Sequence, residues 1–235
     1  GGGGGGGADS VLFDPRYRID RRRFCACVAY LFKHGESIGP IADQFRDGGI
    51  DLIEVPGGRL LDPVQLYRLP CLIRRRNLRI LHCHDPKADA YGALLRLFNP
   101  GLKLVSTLHG WLVQSWRSRW YIWLDMLSLR FFDRLIAVSE STRQQALAGG
   151  LKKVTLMLNG VDTDFWMPAD RPIRQQGEPV TIGFVGRLSR AKGVQDLVRI
   201  ARRILDKYPD CEFLLAGEGP EREPAGLLAE QLGVA

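Results

Sequence analysis

The chain has 235 residues, 45% of them hydrophobic and 25% charged, with a net charge of +7. That balance excludes a disordered chain, a collagen and a disulfide-knit toxin. No apolar run is long enough for a spanning helix, and seven leading glycines do not read as a signal peptide. The five cysteines are Cys25, Cys27, Cys71, Cys83 and Cys211, odd in number and scattered. They are expected to be reduced thiols of a cytosolic protein. Charge is uneven. Residues 1–176 hold 25 Lys and Arg against 17 Asp and Glu, and residues 177–235 hold 8 against 9. A basic first part suits an anionic partner.

From Phe24 onward apolar runs alternate with helix-period segments. Phe24–Phe32 reads as a buried strand, Ile38–Arg46 as a helix and Ile50–Val55 as a strand. Asp62 is placed to cap a helix from Pro63 to about Arg76, with proline at its first position. Then follow strand Leu78–His82, helix Lys87–Phe98, strand Leu102–Leu108 and a long helix Ser115–Phe132. Strand Leu135–Val138, a short helix capped by Ser139, and strand Val154–Leu158 complete the first part. The repetition predicts an α/β fold with a parallel sheet covered on both faces. Such sheets bind ligands at the carboxyl ends of their strands.

Residues 165–179 contain three prolines and no periodicity, and read as a linker between a domain at 1–164 and a second at 180–235. Strand Val180–Val185 restarts the alternation. Helix Val194–Leu205, strand Cys211–Ala216 and a helix to about Leu232 follow. Two parallel strands make an incomplete domain. The chain is therefore expected to be an internal piece of a longer protein, with a compact minimal version as the competing reading.

Four features could carry chemistry. The N-terminal glycines match a dinucleotide fingerprint trivially, although the backbone N–H groups of such a loop can cradle phosphate. In Gly186-Arg187-Leu188-Ser189-Arg190-Ala191-Lys192-Gly193, a strand ends at a glycine. Arg187 then falls at the sheet edge and Lys192 at a helix start. A cation there is locally unfavourable unless a phosphate binds, and two exposed surface cations are the plainer reading. His82 and His84 end one strand and share a face, and His109 ends the next. They give too few converging ligands for zinc and are expected to line a cleft. The segment Trp111–Arg134 carries Trp116, Trp120, Trp123, Leu127 and Phe131 at helical spacing among arginines. It fits either an anionic membrane surface or a core helix with snorkelling arginines. The clusters Arg21–Arg23 and Arg74–Arg76 lack any accompanying nucleic-acid signature.

Taken in order, these pieces resemble the retaining glycosyltransferases of family 4, with the GT-B fold. The matching residues are Gly6-Gly7-Ala8-Asp9, His82-Cys83-His84, Thr107-Leu108-His109-Gly110 and Ile136-Ala137-Val138-Ser139. Next come Asn159-Gly160-Val161-Asp162 with Phe165, Gly186-Arg187-Leu188 with Lys192-Gly193, and Gly217-Glu218-Gly219-Pro220. The resemblance implies two Rossmann-like domains, acceptor side first and nucleotide-sugar side second. It implies that Arg187, Lys192, Gly6 and Gly7 meet the donor diphosphate. His109 would be the catalytic residue near the transferred sugar, with His84 lining the cleft. Gly217, Glu218 and Gly219 would lie near the nucleotide. No metal or other cofactor is implied. The expected partners are a nucleotide-diphospho-sugar and a lipid-linked or saccharide acceptor, with an anionic membrane surface and without nucleic acid, in a cytoplasmic, membrane-peripheral setting. Two features depart from the family pattern. Asp9 stands where the family loop often has glutamate, and the family's two glutamates eight apart are not found by residue 235. A nucleotide-sugar 2-epimerase of the same fold and a non-catalytic basic fragment that binds a membrane or polyanion are the alternatives.

Overall fold

The computed structural model describes residues 20, 22–35, 38–47, 49–58, 61–111, 116–160, 163, 164, 167 and 177–234. Strand β1 is Cys27–Lys33, helix α1 Gly39–Asp47, β2 Asp51–Gly57 and α2 Pro63–Arg75. Then come β3 Ile80–Cys83, α3 Pro86–Phe98, β4 Lys103–Leu108 and α4 Trp116–Leu129. Strand β5 Arg134–Ala137, α5 Glu140–Ala148 and β6 Val154–Leu156 follow. After residue 177 lie β7 Val180–Val185, a 3₁₀ turn Arg190–Lys192, α6 Val194–Lys207, β8 Cys211–Ala216 and α7 Arg222–Leu232. The chain divides into two compact units, one ending at Val161 and the other running on from Asp162.

Helix starts follow local chemistry. The Asp62 carboxylate accepts from the N–H groups of Val64 and Gln65, and proline occupies the first turn. Asp85 does the same for Lys87 and Ala88 ahead of Pro86, and Ser139 accepts from Thr142 N–H. Each side chain satisfies N–H groups that the first helical turn leaves without partners.

Every strand pair is parallel. The first unit departs from the expected single sheet. β1 and β2 form one pair, while β3, β4, β5 and β6 form a separate four-stranded sheet in that order. β1 is half-buried along its length rather than buried, because β2 alone pairs with it among the described residues. One core nevertheless joins the two sheets. Val55, Leu69 and Ile73 pack in the same cluster as Tyr91, Leu95, Leu104, Leu129 and Leu135. Burying each such leucine is worth roughly 1.5–3 kcal/mol.

Polar groups join the two sheets as well. Tyr91 Oη on α3 accepts from Asp62 N–H at 2.6 Å and donates to Gln65 Oε1 at 2.8 Å. Gln65 Nε2 in turn donates to the Val55 carbonyl at 2.9 Å. Gln65 and Tyr91 are almost fully buried, so each of these polar atoms depends on the others.

In the second unit β7 and β8 pair from Val180 opposite Cys211 to Val185 opposite Ala216. One face carries Phe184 and Leu215 against Val194, Val198 and Ala225. Among the described residues the other face is uncovered, with Val185 and Leu214 exposed. The expected two-sided cover is therefore one-sided here, because α6 and α7 both pack into the core on the Phe184 face.

Candidate functional site

The first cluster lies at the carboxyl ends of β3 and β4. His82 and His84 are two residues apart, and a strand puts such residues on one face. Their ring centroids are 4.3 Å apart, and His84 and His109 are 6.0 Å apart. The expected neighbourhood of His84 and His109 is therefore present, with His82 beside it. His82 Nε2 hydrogen-bonds Thr107 Oγ1 at 2.8 Å. Burial, then the charge of His109, lowers His82 below its ordinary value. Burial, then the charges of His82 and His109, lowers His84 to about 3. Packed imidazoles that would repel as cations stay neutral. His84 Nδ1 is buried and makes no hydrogen bond among the described residues. A neutral ring of this kind can donate or accept a hydrogen bond with a sugar hydroxyl, but it is not a general acid at neutral pH.

A pair of acids lies where α3 meets α4. Trp111 Nε1 donates to Asp125 Oδ2 at 2.7 Å, which ties the end of β4 to α4. Asp125 and Asp89, on α3, are both buried. Burial first, and then the Asp125 charge, raises Asp89 to about 8. Burial also raises Asp125. Asp89 thus keeps its proton at pH 7, and the two carboxyls hold at most one negative charge between them. Sequence reasoning missed this pair and Trp111. The available signal was an aspartate on the apolar helix α4, a helix turn from residues that face the core.

The second cluster belongs to the other unit. Two loops leave the carboxyl ends of β7 and β8 and run backbone against backbone. Gly186 N–H donates to the Ala216 carbonyl at 3.0 Å, and Leu188 N–H to the Glu218 carbonyl at 2.8 Å. Glu221 N–H returns a bond to the Leu188 carbonyl at 3.0 Å. A Cβ on Gly217 would collide with the Gly186 carbonyl oxygen, and one on Gly219 with the Leu188 carbonyl oxygen. This close approach gives both glycines a structural reason, whatever binds beside them. The Glu218 side chain pairs with Arg222 at 2.5 Å.

Arg187 and Lys192 are both exposed on the loop from β7 to α6. Lys192 ends a 3₁₀ turn two residues before α6 rather than starting the helix itself. The turn closes at Gly193, whose φ of 67° is left-handed, a conformation glycine adopts without strain. Among the described residues no side chain caps α6, whose N-cap is Gly193. Two cations thus precede a helix start that lacks a side-chain cap, the arrangement an anion fits. Gly6 and Gly7 lie outside the described residues, as does most of the expected linker at 165–179. Among the described residues no group of three or more His, Cys, Asp or Glu side chains could hold a metal ion.

Two family models together span the residues of both clusters. The model of Glycosyltransferase Family 4 matches residues 24–165, and that of Glycosyl transferases group 1 matches residues 168–235. One subunit of phosphatidylinositol N-acetylglucosaminyltransferase from Arabidopsis thaliana is 28% identical over 157 residues. Those residues are 64% of this chain and 34% of that protein. A glycogen synthase of Mycobacterium tuberculosis is 30% identical over 156 residues, 61% of this chain and 36% of that protein. The chain spans about a third of the length of these curated relatives. Among solved structures, HepE of Anabaena in complex with UDP superposes with a TM-score of 0.74 at 20% identity. The match covers 99% of this chain and 65% of HepE. A putative UDP-N-acetylglucosamine 2-epimerase from Listeria monocytogenes gives 0.56 at 13%, over 96% of this chain and 62% of that one. The fold is thus α/β with parallel sheets of GT-B type, its second domain partly represented, and the chain belongs to glycosyltransferase family 4.

Proposed function

We propose that this chain supplies the acceptor side and the first part of the donor side of a glycosyltransferase. That enzyme moves a hexosyl or N-acetylhexosaminyl group from a nucleotide-diphospho-sugar, with retention, onto a lipid-linked or saccharide acceptor. The observation that carries the reading is the loop bearing Arg187 and Lys192, set before the uncapped end of α6, in a chain whose two halves match two glycosyltransferase models. In this reading Arg187 and Lys192 offset the negative charge that grows on the departing diphosphate, with help from Gly6 and Gly7. Such preorganised cations stabilise the transition state more than the ground state. His109 lies near the transferred sugar, His84 offers its buried nitrogen to a hydroxyl, and Gly217, Glu218 and Gly219 lie beside the nucleotide. No metal is required, since the two cations do the work a divalent ion would do.

Uridine is the favoured base, because the HepE complexes hold UDP and UDP-glucose. The acceptor reading places the protein in the cytoplasm at a membrane surface. The 2-epimerase alternative has only fold likeness in its favour.

The test is calorimetric titration of the chain with UDP, GDP and ADP, in chelator, beside a Lys192→Ala variant. UDP is expected to bind and the variant to bind about tenfold or more weakly, since a charge-assisted contact is worth roughly 1.5–3 kcal/mol. Equal binding by the variant, or binding only on adding a metal, would overturn the assignment.

A further inference from the structure

Helix α4 is built inside out. At 100° per residue, Ile122, Asp125, Met126 and Leu129 share one side, and Trp116, Trp120, Trp123 and Leu127 share the opposite side. Asp125 and Leu129 are buried, at 4% and 1% exposure. The indoles face solvent, at 69% for Trp116, 60% for Trp120 and 55% for Trp123. A surface helix ordinarily turns its charge outward and its apolar stripe inward. Here the helix's one carboxyl group is held inside by Trp111. The core-helix reading of the sequence therefore holds for one side of α4 only.

The outward side combines three features. It is apolar over a wide area: at these exposures the three indoles present roughly 280–460 Å², the size of the largest and often functional apolar patch on a typical monomer. Its charges are cationic: Arg119 on the helix and Arg130 just past its end are exposed, and the helix offers no outward acid. Its large side chains are mainly indoles, which place an apolar body beside an N–H donor and so suit the boundary between acyl chains and headgroups.

We propose that the outward face of α4 docks flat on an anionic lipid bilayer, with Trp116, Trp120 and Trp123 entering the headgroup layer and Arg119 and Arg130 pairing with lipid phosphates. A second copy of the chain is a poorer occupant. A two-fold contact would set the same cationic face against itself, in a part of the chain where basic residues outnumber acidic ones by 25 to 17. The proposal shares its membrane location with the transferase reading, but vesicle binding needs no nucleotide, so the failure of one is distinguishable from the failure of the other.

The test floats the whole chain with vesicles of phosphatidylcholine alone and of phosphatidylcholine mixed with phosphatidylglycerol. Binding to the mixed vesicles is expected to be at least tenfold tighter, to shift tryptophan emission to the blue and to weaken with salt. The variant Trp116→Gln/Trp120→Gln/Trp123→Gln should lose about tenfold or more of this binding. Arg119→Glu/Arg130→Glu should lose the preference for phosphatidylglycerol, and Tyr67→Gln, an exposed aromatic on α2, should bind as the parent does. Circular dichroism checks that each variant folds. If the tryptophan variant fails to fold, the arginine variant and quenching of the parent's tryptophans by brominated lipid decide the matter. Equal flotation of parent and tryptophan variant would overturn the proposal, as would no preference for the anionic vesicles. So would self-association lost in the tryptophan variant without any vesicle binding, which would assign the face to a second copy.

Discussion

A histidine held neutral inside a cluster of histidines changes how the protein answers to acid. The folded chain holds the His84 imidazole at about 3, by burial first and then by the charges of His82 and His109. The unfolded chain would titrate it near 6.5. Between those values the unfolded state binds the proton and the folded state refuses it. Stability from this group is therefore present above pH 6.5 and lost as pH falls toward 3. In urea melts from pH 6.5 down to 4, the parent is expected to lose stability steadily relative to His84→Gln. A constant gap between the two would show that His84 is not buried neutral. The sequence made this cluster legible, because alternation along β3 places His82 and His84 together and strand order brings His109 beside them. It did not reveal what Gly217 and Gly219 are for. Their need for a bare Cα comes from the carbonyls of Gly186 and Leu188, some thirty residues away, and no local pattern encodes that approach.

At the scale of elements, α3 and α4 meet over a shared proton. Burial and the Asp125 charge lift Asp89 to about 8, so the folded state keeps a proton that the unfolded chain gives up near 4. Stability from this group is full below pH 4 and is lost as pH rises through 8. Below pH 6.5 the His84 effect runs the other way, which leaves pH 6.5 to 8 as the clean window. There the parent is expected to lose up to about 1.4 kcal/mol per pH unit. Asp89→Asn, which needs no proton, should flatten that slope, and thermal melts across the window measure it. A parent slope that survives the substitution would place the titrating group elsewhere. Element boundaries were largely legible, since Asp62, Asp85 and Ser139 announce their helices by capping chemistry. The orientation of α4 was not. Its apolar residues run all round the helix, so periodicity alone does not say which side meets the core. The buried Asp125, anchored by Trp111, settles it.

For the whole molecule, the two units differ in how much core they own. Fourteen buried apolar residues cluster in the first unit and four in the second, among the described residues. The alternation of strand and helix foretold parallel sheets, yet it left open that β1 and β2 would pair apart from the other four strands. Strand neighbours are chosen by contacts across the whole unit rather than by local pattern. The difference in core size predicts that heating unfolds the chain in two steps, the second unit first, because stability tracks the apolar area removed from water. The cations Arg187 and Lys192 lie in that weaker unit. A nucleoside diphosphate bound there stabilises only the folded form of the unit that holds it, by about 2.7 kcal/mol at a hundred times its dissociation constant. Scanning calorimetry with UDP should therefore raise the lower transition and leave the upper one in place. At the same UDP concentration Lys192→Ala should cut the shift to about half or less without moving the nucleotide-free transition, since its side chain is exposed. Movement of the upper transition instead would put the nucleotide on the histidine cluster of the first unit and reverse the assignment of donor and acceptor sides.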